Sequence, residues 1–409
     1  MADRVTVIGW DGSPLSTAAR SALGAATLVA GARHHLALPE IPRGAERIQL
    51  GSVALAARRI AGHRGTAVVL ADGDPGFFGV VRTLRAPQHG LEVEVVPAVS
   101  SVAAAFARVG MPWDDARVVV AHSRDLRRAV NVCRAHTKVA VLTSPGAGPA
   151  ELALLLGPVH RTFVICEELG SERERVSVLT SDKVADHEWR HPNVVISIGG
   201  LRTPVVQGSP WISGPDPDLP QEPRGWALPA HQYGARLGEG EGGQLRAAQL
   251  ARLGPRVGDL LWDIGSGGGA VSVEAARFGA AVIAVDQDPV ACERTAASAR
   301  AFGVQLQVVR GRAPQVLEDL PEPDTVRVGG GGPPVVAACA ARRPERIVCH
   351  AATRDEAEAV GRVLSEAGYR VECALIQSVE LDTSDHSGWA ETERSVAFFL
   401  CGHLPRRTS

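Results

Sequence analysis

The stretch Leu260-Leu-Trp-Asp-Ile-Gly-Ser-Gly-Gly-Gly-Ala270 decides how the C-terminal half of this 409-residue chain is read. An apolar run ends in Asp263, glycines follow at Gly265, Gly267 and Gly269, and helix-forming residues begin at Val271. A strand that passes through a glycine turn into a helix N-terminus lets a ligand approach bare backbone N–H groups. A second apolar run, Ala280-Ala-Val-Ile-Ala-Val285, ends in Asp286, where a carboxylate can accept both hydroxyls of a ribose. The two together predict an adenosine-binding half-fold.

Two adenosine cofactors fit. A dinucleotide site uses G-x-G-x-x-G/A, which Gly265, Gly267 and Ala270 satisfy. An S-adenosylmethionine site resembles D/E-x-G-x-G-x-G, met by Asp263, Gly265, Gly267 and Gly269, with Ser266 and Gly268 completing the turn. An acid at the strand end suits a cationic amino group and repels a pyrophosphate, so the methyl donor is the preferred reading. A nicotinamide-dependent oxidoreductase is the alternative.

Composition sets outer limits. The length allows two or three domains with large cores. A net charge of −2 argues against a nucleic acid or a membrane surface as partner. The 7 cysteines are scattered and form no C-x-x-C, which points to free thiols and no metal site. The chain enters a strand pattern at once, Arg4-Val-Thr-Val-Ile-Gly9, and holds no apolar run of membrane-spanning length. A soluble cytoplasmic protein is expected.

Proline and glycine crowd into 201–229, as in Gly214-Pro-Asp-Pro-Asp and Glu222-Pro-Arg-Gly, which reads as an extended linker between domains at 1–200 and 230–409. Both halves alternate strand and helix patterns, so the expected class is α/β with largely parallel sheets. In the first half, strands are expected at Val5–Gly9, Thr27–Ala30, Thr66–Leu70, Leu91–Val96, Arg117–Val120, Val139–Leu142, Thr162–Cys166 and Asn193–Ile198. Helices are expected at Ala45–Ala61, Ser101–Val109 and Ala147–Leu156. The second half shows five further strand patterns and ends in an antiparallel pair, Tyr369–Ser378 with Ser395–Cys401.

Turns with ligand-binding chemistry sit just past strand ends in the first half: Gly9-Trp-Asp-Gly12, Asp72-Gly-Asp-Pro-Gly76, Pro97-Ala-Val-Ser-Ser101 and Thr143-Ser-Pro-Gly146. The ligand crevice of an open α/β sheet lies beyond the carboxyl ends of its strands. The order of these turns resembles the tetrapyrrole methylase family. With Gly31-Ala-Arg-His-His35, Ala121-His-Ser-Arg124 and Glu167-Glu-Leu-Gly170 it is similar to the cobalamin-pathway branch that methylates C5 of precorrin-6Y or its cobalt analogue.

That resemblance implies a two-subdomain tetrapyrrole methylase fold over 1–200. S-adenosylmethionine would contact Gly73, Asp74, Pro75, Ser100 and Ser101, with Gly9, Asp11 and Thr143 nearby. Leu260–Glu274, Asp286, Arg310-Gly-Arg-Ala-Pro314 and Val328-Gly-Gly-Gly-Gly332 resemble the C15-methylating, decarboxylating partner, a Rossmann-like methyltransferase fold. There, Gly265 to Gly269, Asp286 and Ala313 would contact a second donor, and Gly329, Gly330 and Gly331 would face the tetrapyrrole.

Fused, the halves imply methylation at C5 and C15 with loss of carbon dioxide from the C12 acetate, in a homo-oligomer. Where the resemblance implies a Thr-Lys pair, the chain reads Gly240-Glu-Gly-Gly-Gln244, so C5-only activity is a further alternative. Arginines are expected to clamp the substrate carboxylates. The candidates are Arg33, Arg82, Arg124, Arg310 and Arg312, with His34, His35, His122 and His350 as lesser ones. His34 and His35 are adjacent, and in a strand or turn they would point apart, against shared metal ligation.

Overall fold

The computed structural model describes residues 4–199, 225–233, 242–382 and 388–405. The linker expected at 201–229 therefore lies outside the described residues up to 224. Residues 225–229 pack on the second domain, with Trp226 stacked on Phe278 at 3.8 Å between ring centroids.

The first domain consists of two subdomains, each built on one sheet. In the first, β1 (Val5–Trp10), α1 (Thr17–Gly24), β2 (Leu28–Gly31), β3 (Glu46–Gln49), α2 (Val53–Ala61), β4 (Ala67–Asp72), α3 (Val80–Leu84) and β5 (Val93–Val96) follow one another. The strands form a wholly parallel sheet in the order β3-β2-β4-β1-β5. The central strands β1, β2 and β4 are buried almost throughout, as parallel strands covered on both faces must be.

One helix expectation is corrected here. Ala45–Ala61 splits into edge strand β3 and helix α2, because Gly51 interrupts the chain and Ser52 caps the helix by accepting from Leu55 N–H.

The second subdomain contains α4 (Ser101–Arg108), β6 (Arg117–Val120), α5 (Leu126–Ala135), β7 (Lys138–Leu142), α6 (Pro149–Leu156), β8 (Thr162–Glu167), β9 (Arg175–Thr180), α7 (Ser181–Val184) and β10 (Asn193–Ile198). Its sheet runs β6-β7-β10-β8-β9, and only the β6–β7 pair is parallel. The expectation of largely parallel sheets fails for this subdomain. β8 turns back directly into β9, and β10, after α7, inserts antiparallel between β7 and β8.

The C-terminal domain begins with α8 (Gly243–Leu253) and continues β11 (Leu260–Ile264), α9 (Ala270–Arg277), β12 (Ala281–Asp286), α10 (Pro289–Ala301), β13 (Gln307–Arg310), β14 (Thr325–Val328), α11 (Gly332–Ala341), β15 (Arg346–Ala351) and α12 (Arg354–Glu366). The hairpin β16 (Arg370–Asp382) and β17 (Ala390–His403) closes it. The sheet order is β13-β12-β11-β14-β15-β17-β16, with β17 antiparallel to both neighbours. Five parallel strands ending in an inserted antiparallel strand differ from a dinucleotide fold, whose second half repeats the parallel unit.

The domains touch along α5. Asn131, fully buried, donates through Nδ2 to the Gly258 carbonyl at 3.1 Å, Arg127 pairs with Asp324, and Arg161 Nη2 donates to Gln305 Oε1 at 2.8 Å. Gly258 and Asp324 precede β11 and β14, so the first domain sits against the N-terminal edge of the second domain's sheet. The glycine turn after β11 lies at the opposite edge. Among the described residues, no helix is long and apolar enough to cross a membrane.

Candidate functional site

In the first domain, the turns after β1, β4 and β5 converge through Gly9. A Cβ built there would stand 2.8 Å from both Ala98 N and Pro75 Cδ. Gly9 is therefore where three loops meet, and a side chain would part them. Gly73 N–H donates to the Trp10 carbonyl at 2.7 Å, and Gly73 has φ +62°, where a Cβ would stand 2.9 Å from Ser101 N.

Asp11 fastens the first loop to the third. Its Oδ2 accepts from Val99 N–H at 3.2 Å, and its Oδ1 accepts from Ser13 N–H and Oγ–H. Burial opposes ionisation of Asp11, but these hydrogen bonds outweigh it and hold the carboxyl below its ordinary value. Asp74 turns inward on its own loop and accepts from Gly76 N–H at 2.8 Å. Ser100 caps α4 by accepting from Ala103 N–H, which leaves Ser101 at the first helical position.

These loops line a cleft of about 1460 Å³ between the two subdomains. Asp11, Gly73, Asp74, Ser100, Ser101 and Thr143 all reach it, and Thr143 Oγ1 lies 2.8 Å from the Asn193 carbonyl and 2.6 Å from its side-chain oxygen. Gly9 and Pro75 stand behind the lining. Arg124 is exposed and, like Arg33 and Arg82, does not line the cleft; His122 does. The cationic lining comes from Arg108, Arg128 and Arg173, which sit in helices or loops away from the glycine motifs and carried no sequence signal. The far wall includes Val257 and Gly258 of the second domain.

The adjacent histidines behave differently from their sequence reading. Gly31-Ala-Arg-His-His35 leads into a 3-10 turn rather than a strand, and both rings face Asp72 at the end of β4. Nε2 of His34 lies 2.8 Å from Asp72 Oδ1, and Nε2 of His35 lies 3.0 Å from the same oxygen. The two side chains do not point apart as expected but meet at one carboxylate oxygen. The three groups are close enough to surround a cation.

The tautomer of His35 weighs against that use. Ala32 N–H donates to His35 Nδ1 at 3.2 Å, so the proton of a neutral ring sits on Nε2 and leaves no lone pair there for a metal. Burial would raise the Asp72 carboxyl, but the two imidazoles outweigh it and hold it well below the carboxylate range. The hydrogen bond that His34 donates to Asp72 raises His34 in turn.

In the second domain, Gly265, Gly267 and Gly269 have φ of +72°, +58° and +77°. A β-carbon at each would be strained, so the alternating glycines are required by the backbone itself. Asp286 Oδ2 accepts from Gly267 N–H at 2.9 Å and its Oδ1 from Asp288 N–H at 2.9 Å, which pins the loop. Asp286 remains partly exposed, and a carboxylate with two such bonds keeps lone pairs for ligand hydroxyls. Ser266 is 2 % exposed, and its Oγ has no hydrogen-bond partner among the described residues. Gly329 and Gly330 pack against Gly265, Gly331 has φ +87°, and Ala313 is half-buried on the core behind the loop after β13.

Asp263 has a different occupation from the one its motif suggested. It is fully buried, with Oδ1 3.0 Å from Arg327 Nη1 and Oδ2 accepting from Ser272 Oγ at 2.6 Å. Arg327 also donates to the Gly265 carbonyl at 2.8 Å. Asp263 is thus neutralised by Arg327 and cannot repel a pyrophosphate, so that argument against a dinucleotide falls. The sheet order carries the distinction instead. His350, half-buried near Arg327, is pushed down to about 4 by burial first and the guanidinium second.

Known proteins match the same division. Residues 10–185 fit the tetrapyrrole (corrin/porphyrin) methylases, and residues 241–399 fit the precorrin methyltransferase domain. A precorrin-6Y C(5,15)-methyltransferase [decarboxylating] of a Sinorhizobium species is 34% identical over 361 residues, covering 85% of this chain and 84% of the relative. The chain belongs to that family.

Each half also has relatives that exist apart. A cobalt-precorrin-7 C(5)-methyltransferase of Salmonella typhimurium is 37% identical over 201 residues, 45% of this chain and 94% of the relative. A probable cobalt-precorrin-6B C(15)-methyltransferase (decarboxylating) of Pyrobaculum calidifontis is 39% identical over 142 residues, 32% of this chain and 73% of the relative. Family membership implies S-adenosylmethionine as methyl donor.

Proposed function

We propose that this chain methylates precorrin-6Y at C5 and C15 and releases the C12 acetate carboxyl as carbon dioxide, with one S-adenosylmethionine site in each domain. The observation that carries the reading is the pair of separate glycine-built cradles: the Gly9–Gly73 loops in the first domain and the Gly265–Gly269 turn in the second. Each exposes backbone beside a partly exposed acid at a strand's carboxyl end. When bound, the donor supplies an electrophilic methyl group.

The chain's own residues do the rest. Gly73, Asp74, Pro75, Ser100, Ser101 and Thr143 would border the first donor, with Gly9 and Asp11 holding their loops in register. Gly265 to Gly269, Asp286 and Ala313 would border the second, with Asp263 acting through Arg327. Gly329 to Gly331 would face the ring. Alignment of donor and acceptor at about 3–3.5 Å supplies most of the catalysis for an in-line transfer to an electron-rich carbon. Of the cleft-lining arginines, Arg108 is paired with Glu174 and Arg173 with Glu168, and Arg128 is the one placed to meet a substrate carboxylate.

Incubating the protein with precorrin-6Y and labelled donor, then weighing the products, tests this directly. The expected product has gained two methyl groups and lost one carbon dioxide. Calorimetry should find two donors per chain. A product with a single new methyl group at C5 would favour a degenerate second domain.

A further inference from the structure

Replacing a ring hydrogen by methyl releases a proton for every methyl transferred. The new C–CH3 bond forms as the CH3–S⁺ bond breaks, and the electron pair stays on sulfur as a neutral thioether. The methylated carbon regains its conjugation by giving up its hydrogen as H⁺, so the first cleft needs a proton acceptor.

His34 and Asp72 both line that cleft, next to Trp10 and the Gly73–Asp74 turn. His34 stands 6.1 Å from Trp10 between ring centroids. Its Nε2 is held by Asp72 Oδ1 at 2.8 Å, while its Nδ1 has no hydrogen bond among the described residues. His35 is only 1 % exposed and approaches the same carboxylate oxygen from behind. Asp72 and His35 are the titratable groups that face His34 here, and the Asp72 hydrogen bond fixes the imidazole.

Building on the C5 reading above, we propose that His34 Nδ1 takes the proton lost from the methylated carbon. Asp72 is then a positioning residue that accepts Nε2–H and stabilises the imidazolium, with the buried His35 ring packed beside it. Such an arrangement of base and orienting carboxylate is a general device for proton transfer.

The full-length protein allows the test to carry its own control, because the C15 reaction takes place in the other domain. His34→Gln should slow C5 methyl addition roughly 100-fold. C15 methylation, carbon dioxide release and donor affinity by calorimetry should stay at wild-type levels. NMR titration of the resting protein should place the His34 imidazole above its ordinary value of 6.5. In Asp72→Asn that titration should move down, and the acidic limb of the C5 rate profile should move down with it.

A wild-type C5 rate in His34→Gln overturns the proposal. So does a loss of C5 rate that comes with an equal loss of donor binding, which would make His34 merely structural, and so does a C5 profile unmoved by Asp72→Asn. A wild-type protein that adds no methyl group at all would instead sink the parent reading.

Discussion

Gly12 and Gly170 meet backbone to backbone across the two subdomains of the first domain. A β-carbon on Gly12 would run into the Gly170 carbonyl, and one on Gly170 would run into the Asp11 carbonyl. Both have positive φ, +87° and +78°. The contact fixes the first glycine turn against the Glu167-Glu-Leu-Gly170 turn and so sets the width of the cleft between them.

Gly12→Ala or Gly170→Ala should therefore separate the subdomains. The left-handed backbone alone costs about 1–2 kcal/mol, and the collision adds to it. Donor stoichiometry by calorimetry should fall from two per chain to one, with C5 methylation lost and C15 methylation kept. A variant that still binds two donors would show that the contact does not shape the site.

Much of this was legible because glycine chemistry is local. Gly265, Gly267 and Gly269 needed positive φ, and the sequence shows alternating glycines where such φ values occur. The apolar runs ending in Asp263 and Asp286 gave the central strands for the same reason. Edge strand β3 carries one apolar residue, and in β9 Val176 and Val178 face solvent, so their pairing partners supply the order. Side-chain partnerships were beyond reach. Arg327 lies 64 residues from Asp263, and only the pairing of β11 with β14 brings them together. The meeting of His34 and His35 at Asp72 depends on a 3-10 turn that no periodicity announces.

Arg327→Met should damage the second domain more than its size suggests. It would leave Asp263 fully buried beside Ser272 without its counter-charge, and breaking a buried pair by removing one partner costs about 3–5 kcal/mol. It would also free the Gly265 carbonyl. Urea unfolding of the variant should show a lowered midpoint, and C15 methylation should fall while C5 methylation holds. The double variant Asp263→Asn/Arg327→Met removes the stranded charge and should recover part of the stability.

Thiol chemistry should be confined to one position. Burial pushes Cys133 and Cys166 up to about 11, and Cys339 and Cys349 up to about 12, so their reactive thiolates are scarce at neutral pH. Cys373, on β16, is exposed. Iodoacetamide applied to the native protein at pH 8, followed by peptide mass mapping, should label Cys373 first and the six buried thiols, Cys292 and Cys401 included, only on unfolding. Early labelling of Cys349 would show that the sheet opens in the native state.

The contact between Asn131 and Gly258 should tie the first reaction to the second domain. Asn131 is fully buried on α5, and its helix neighbours Arg128, Ala129 and Val132 reach the cleft. Its partner Gly258 forms cleft wall together with Val257, so one hydrogen bond holds a piece of the second domain against the first domain's substrate space. Asn131→Ala removes the donor and leaves a buried carbonyl unpaired, at a cost of about 1–3 kcal/mol. The wall should then loosen without any change at the Gly73–Ser101 loops. Steady-state C5 methylation should show a KM for the tetrapyrrole raised several-fold with kcat and donor affinity kept, because the wall contributes to holding substrate and not to the transfer itself. Equal KM values for the variant and the wild type would mean that the domains share a border but not a site.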